Sequence, residues 1–333
     1  MYAPSSEKVK VVRQINRPEI VFAAARRPGT GLIFFGGSDF KVHAADLDRD
    51  KPEVKDLGGH DSYVTGLALA GSTLVSGSYD GRLIWWDVES GSRIRAVDAH
   101  RRWIRHVAST PDGKVVASVA DDMVCRIWDV ASGQLLHELR GHEEMTPHQF
   151  ASMLFACAIS PDGRRIATGD KVGHIAVWEI DSGRRLAELE APVFYTWDPV
   201  QRRHSIGGIR ALAFSPDGTR LAVGGIGKIG NIDHLDSKPR MEVFDWRKGE
   251  RLGEALGEGR GMVERLEFHP DGDWLLGAGG YTDGFLLFSD PAGKKTYAQA
   301  KAPMYIHDFA LNETRDRLYA VGHHKIALIQ LEK

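Results

Sequence analysis

A histidine, a serine and an aspartate recur together twice, as His60, Ser76 and Asp80 and again as His100, Ser118 and Asp122. These side chains are the base, nucleophile and orienting acid of acyl-transfer hydrolases. Each trio here is followed by a tryptophan, Trp86 and then Trp128, and the set returns after about 40 residues, a period typical of repeat architectures. Structural networks are duplicated at such a period, whereas a catalytic centre is not. The trios therefore read as scaffold, and no catalytic residue is expected among them.

Other spacings that could do chemistry fail on their context. The run GIGKIG at 225–230 fits the dinucleotide pattern G-x-G-x-x-G and follows a strand-like run. Residues 231–239 lack a helical period, so no helix N-terminus is at hand for a pyrophosphate. His137 and His142 stand one residue too far apart for the zincin H-E-x-x-H pair. Asp46, Asp48 and Asp50 imitate the start of a calcium loop, but Lys51 and Leu57 stand where it needs glycine and an acid. No cofactor and no resident metal are expected. The leftover ligand types are His148, His204, His234, His307, His323 and His324, with Asp233 or Asp236 nearby. Only His323 and His324 are close in sequence, and neighbours in a strand point opposite ways.

The elements that carry these residues repeat. LVSGSYDGRLIWWD at 74–87 returns as VASVADDMVCRIWD at 116–129 and as IATGDKVGHIAVWE at 166–179. Gly59-His60 and Gly141-His142 precede two of the copies, with Ala99-His100 as a variant. Pro-Asp-Gly turns start at Pro111, Pro161, Pro216 and Pro270. The apolar runs are β-branched and aromatic, too short for helices, and bounded by turn residues. Each unit reads as four short antiparallel strands, labelled a to d from the axis outward.

In these residues the chain resembles the WD40-repeat family, over nearly its whole length but with divergent repeats. The resemblance implies an all-β, seven-bladed β-propeller. Aligning strand c places its tryptophan position at Ala45, Trp86, Trp128, Trp178, Phe244 and Phe288, with a last strand at 325–331. The seventh blade lacks an outer strand, and a spare strand at 8–15 is expected to close the ring and remove both open edges. The family also implies hydrogen-bonded tetrads: His60, Ser76, Asp80 and Trp86 in blade 2, and His100, Ser118, Asp122 and Trp128 in blade 3. Blade 4 keeps His142, Thr168 and Trp178 but has Val172 in the aspartate position.

The chain has 333 residues, and seven units of about 40–45 residues need roughly 280–315. Length alone would also fit two ordinary domains; the repeat makes it one propeller domain over 1–333. Apolar residues at 42%, charged residues at 26% and 37 glycines describe a globular chain rich in turns. With 43 basic and 45 acidic residues the net charge is −2, which argues against nucleic-acid and membrane partners. Cys125 and Cys157 lie in apolar runs and read as buried thiols in a reducing cytoplasm. No run is long and apolar enough for a leader or a membrane span.

Three stretches exceed the repeat: 143–154, 191–208 and 225–240. The first two are d-to-a crossovers and the third a b-to-c turn, so all three should emerge at one end of the propeller, above blades 4 and 5. They carry hot-spot residue types. The candidate partner-binding set is Phe194, Tyr195, Trp197, Arg202, Arg203, His204, Asp233 and His234, joined by Trp103 and Tyr305 from neighbouring crossovers. The opposing reading is that the aromatics fold inward as the loops' own small core. Resemblance implies a non-catalytic scaffold for a protein or peptide. The alternative is a propeller enzyme or small-ligand binder with a divalent metal near the axis of that face.

Overall fold

The computed structural model of the chain describes residues 7, 9–200, 203–230 and 236–332. Their regular structure is strand throughout, apart from short 3-10 turns such as Pro192–Phe194. Blade 2 shows why. Its strands Val64–Ala70, Thr73–Ser78, Arg82–Asp87 and Arg93–Asp98 pair in sequence order, each antiparallel to the last. The two middle strands are buried nearly end to end and are apolar on both faces, because a neighbouring blade covers each side. The outer strand alternates between exposed and half-buried residues, since only one of its edges is paired.

Seven separate blades were expected; the strands form six continuous sheets around the ring, five of four strands and one of six. The six-stranded sheet holds two blades, because the first strand, Val9–Arg26, serves both. Its first half pairs with the end of the chain, from Val9 opposite Leu331 to Asn16 opposite Lys325. Beyond Pro18 its second half becomes strand a of blade 1, running from Val21 opposite Gly37 to Arg26 opposite Ile33. The last strand, Arg317–Leu331, doubles back on itself. Its start pairs with Ile306–Leu311, and the Leu331 amide donates to the Asp316 carbonyl at 2.7 Å. The reversal falls at His323 and His324, with His324 at φ 56°. This strand therefore supplies b and c of blade 7, and the first strand supplies d. Lys8, the first residue of the expected closing strand, lies outside the described residues.

Core clusters lie between adjacent blades. Trp85 is fully buried against Ile104, Val107 and Val116 of the next blade, and Trp86 lies with Phe34 and Val42 of the preceding one. Each such side chain stabilises the stack by roughly 1.5–3 kcal/mol.

The polar networks sit at the same seams. Trp86 Nε1 donates to Ser76 Oγ at 2.8 Å, Ser76 Oγ meets His60 Nε2 at 2.8 Å, and His60 Nδ1 lies 3.0 Å from Asp80. Blade 3 repeats this with Trp128, Ser118, His100 and Asp122 at 2.9, 2.8 and 3.0 Å. The aspartate position of blade 4 needs correcting. Asp170, two residues before Val172, holds His142 Nδ1 at 2.9 Å, and its other oxygen accepts the amides of Val172 and His174. His142 Nε2 then meets Thr168 Oγ1 at 2.8 Å, and Trp178 Nε1 donates to the same oxygen at 3.1 Å. The network is complete because the acid comes from the end of strand b rather than from the turn.

Ser118→Ala leaves Trp128 Nε1 and His100 Nε2 without their shared oxygen in a buried seam. At about 1–3 kcal/mol per orphaned group, a loss of about 2–4 kcal/mol is expected in urea unfolding. Val200→Ala, at a side chain 79% exposed, should stay within about 0.5 kcal/mol of wild type.

Candidate functional site

Strand a of every blade begins with the same irregularity. In blade 1 Val21 pairs with Gly37 and Ala23 with Gly36, which leaves Phe22 unpaired as a bulge. The same break leaves Thr65, Arg105, Phe155, Arg210, Glu264 and His307 unpaired in the following blades. A bulge re-aims its side chain, and these seven residues line one axial cavity of about 200 Å³. It opens on the end that carries the d-to-a crossovers. Below it His106, Cys157, Leu212 and Arg265 form a waist that also lines a wider cavity of about 570 Å³, which reaches the Pro-Asp-Gly turns at the other end.

The mouth has two unlike halves. Across blades 1 to 3 runs an aromatic arc. Phe40 lies 5.5 Å from Tyr63, Tyr63 lies 5.7 Å from both Phe22 and Tyr79, and Tyr79 stacks on Trp103 at 4.5 Å with the rings 5° from parallel. Trp103 is 50% exposed, and Phe40 and Tyr63 are also exposed. The arc continues through His307, 5.2 Å from Phe22, to Tyr305 and His323 in blade 7. Tyr305 donates its hydroxyl to Glu264 at 2.6 Å.

The other half is cationic. Arg105 grips Asp121 through both carboxylate oxygens, at 2.8 and 2.7 Å, and lies over Tyr79, Trp103 and Phe155. Arg210 also stacks on Phe155, 3.8 Å from its ring centroid. Lys171 is only 5% exposed and reaches the Ala151 carbonyl at 3.3 Å. Gly208 (φ 111°) permits the close packing, since a Cβ there would stand 2.7 Å from Phe155 and 3.0 Å from the Lys171 backbone.

The three inserted stretches touch one another. His148 stacks on Trp197 at 4.8 Å and bonds the Tyr195 hydroxyl at 3.0 Å, while Phe150 meets Trp197 at 5.1 Å and His204 at 6.1 Å. Tyr195–Asp198 and His204–Gly207 form a two-stranded hairpin, and Thr196 Oγ1 in it accepts the Ile229 amide at 2.9 Å. Phe194 does not belong to an exposed set. It is fully buried with Ile209 and Leu221, where it covers the start of blade 5. Tyr195 and Trp197 are half-buried, and Arg203 and His204 are exposed. Arg202, Asp233 and His234 lie outside the described residues.

The described candidate histidines do not converge on one site, although the His307 and His323 rings lie 5.0 Å apart. His148 and His204 belong to the hairpin, His307 and His323 to the mouth, and His324 bonds the Pro18 carbonyl. Among the described residues two other trios bring ligand-type atoms together, and neither is axial: Glu19, Asp39 and His43 in blade 1, and His269, Asp271 and Asp273 on an a-to-b turn. In the first, Arg17 already pairs with Glu19 at 2.6 Å and His43 with Asp39 at 2.8 Å.

The WD domain, G-beta repeat family matches at residues 51–87, 91–129, 133–179 and 197–228, and the tetrads lie within the first three of these stretches. The chain belongs to the WD40-repeat family. It is 29% identical over 258 residues to the nuclear distribution protein nudF of Aspergillus niger, which covers 73% of this chain and 53% of that protein. It is 27% identical over 169 residues to the protein LST8 homolog of Drosophila melanogaster, covering 50% and 53% respectively. It is 32% identical over 157 residues to apoptotic protease-activating factor 1 of Rattus norvegicus, covering 47% and 12%. The chain spans about half, or less, of the length of the curated relatives it matches.

The waist of this WD40 propeller is a buried relay. Arg265 Nη1 donates to His106 Nε2 at 2.9 Å, which leaves His106 Nδ1 to donate to Cys157 Sγ at 3.4 Å, and Arg265 pairs with Asp308 at 3.1 Å. Burial, reinforced by the Arg265 charge, lowers His106 to about 3, and burial pushes Cys157 up to about 12. The thiol is therefore held protonated and unreactive. At the mouth burial lowers His307 to about 4. Both histidines are neutral in the fold and free to protonate near 6.5 when unfolded. Their contribution is thus complete above pH 6.5 and drains as pH falls toward 4, by up to about 1.4 kcal/mol per pH unit for each. Urea midpoints measured from pH 7 to 4.5 should fall, and His106→Gln should flatten that slope relative to wild type.

Proposed function

We propose that this WD40 propeller is a non-catalytic scaffold that docks a protein or peptide segment on the face bearing the channel mouth and the inserted loops. The observation that carries the reading is the aromatic arc. Phe40, Tyr63 and Trp103 expose large rings in one continuous series of ring contacts beside a cavity. Preformed aromatic surface of this kind supplies binding energy at low entropic cost, and Trp, Tyr and Arg dominate hot spots. The hairpin rings Tyr195 and Trp197, braced by His148, extend the same face over blades 4 and 5. With Arg203, His204 and Tyr305 they form the rim of the docking surface. The buried, unpaired thiols of Cys125 and Cys157 fit a reducing cytoplasm as the place of action.

The test is quantitative recovery of interacting proteins by the purified chain. Tyr63→Ala/Trp103→Ala and Trp197→Ala are compared with Lys114→Ala/Lys248→Ala, which alters exposed side chains on the turns of the other end. Partners retained by the last variant should be lost at least tenfold, and about 30-fold where a hot spot is removed. Equal recovery by all variants would show that docking does not use this face.

A further inference from the structure

Three cations gather at the channel mouth, Arg105, Lys171 and Arg210, and Arg105 takes both oxygens of Asp121. Among the described residues no acid pairs with Arg210 or Lys171. Arg210 reaches only the Gly207 carbonyl, at 3.5 Å, and its Nε is buried without a partner. Lys171 has only the Ala151 carbonyl. Two acids line the cavity itself, and both are engaged: Glu264 accepts the Tyr305 hydroxyl and Asp308 pairs with Arg265. Buried cations without counter-charge are costly, and a planar guanidinium with free donors matches the two oxygens of a carboxylate or phosphate. Arg105 and Arg210 line the cavity of about 200 Å³, which is large enough for one such group but not for an extended ligand.

We propose that the channel mouth beside blades 3 to 5 is a receptor for one compact oxyanion, a phosphate or carboxylate group, gripped by Arg210 beside the Phe155 ring, with Lys171 as a flanking positive charge. The oxyanion supplies the counter-charge that the fold withholds. The Phe155 ring packs against the Arg210 guanidinium, and both line the cavity. Asp121 holds Arg105 back as a flanking positive wall. The proposal deepens the docking reading, on which it rests for its source: the group is the acidic or phosphorylated side chain of a docked peptide, and the aromatic arc receives its neighbours.

Isothermal titration at low ionic strength with inorganic phosphate, acetate and a glycyl-phosphoseryl-glycine amide tests the site. Saturable one-to-one binding is expected for at least one of the three. Arg210→Gln should weaken it tenfold or more, and Lys248→Gln at the other end should leave it unchanged. Tighter binding of the peptide than of inorganic phosphate identifies a side chain as the source; equal binding identifies the free anion. Lys171→Met should act in the same direction, and if that variant fails to fold, Arg210→Gln decides alone. Binding of none of the three probes, or binding that Arg210→Gln leaves within twofold, overturns the proposal. Neither result bears on Tyr63 and Trp103, so the docking reading is judged separately by its own recovery experiment.

Discussion

A sheet that curls into a ring leaves two open edges unless its ends meet, and here one covalent strand joins them. Residues 9–16 pair with the end of the chain, and residues 21–26 of the same strand open blade 1. Because that strand is unbroken, blades 7 and 1 cannot slide apart without breaking a ladder on one side or the other. Closure fixes the circumference, and the circumference fixes how many innermost strands face the axis. The seven bulges, one per blade, then deliver seven side chains to one level of the channel. The composition of the mouth follows from closure: a different ring would bring a different set together.

The blades need not be chemically alike to close. Blades 2, 3 and 4 tie tryptophan directly to a strand b hydroxyl, which a histidine and then an acid hold from the other side. Blades 5 and 6 place Phe244 and Phe288 at the same position, where an apolar ring fills the space without needing a partner. Trp246 instead bonds the Gly218 carbonyl from the neighbouring turn. Where the tetrad is present, each buried polar atom depends on the next. Where it is absent, dispersion and burial stabilise the seam alone.

The fold was legible because cross-strand register is written in residue type. Leu74 faces Trp86, Val116 faces Trp128, Leu221 faces Phe244 and Leu276 faces Phe288, the same pair in variable dress, so alignment of strand c found the blades. The mouth was not legible, for a definite reason. A bulge inserts one residue and breaks the alternation from which inward and outward faces are read, so Arg105, Phe155 and Arg210 sit where a regular strand would put them elsewhere. Tyr63, Tyr79 and Phe40 come from three different connections and meet only because the blades are adjacent. The loops were half legible. Their aromatic content marked a surface, but Phe194 was needed as core under the hairpin, and no local pattern distinguishes it from Tyr195. Asp170 was missed by counting the tetrad in the register of blades 2 and 3, while in blade 4 the acid moves to the strand end.

The two halves of the mouth follow opposite energetic logic. The aromatic arc is stacked on itself, so its rings are ordered before any partner arrives and little freedom remains to be lost on contact. The cationic half is left under-compensated: one carboxylate serves Arg105, while Lys171 and Arg210 sit against carbonyls and a π-face. On the proposed docking reading, a surface preorganised for apolar contact beside under-compensated cations would favour a segment that carries both an apolar group and an anion. A partner with the rings but no anion would leave the cations unsatisfied, and one with the anion alone would forgo the arc.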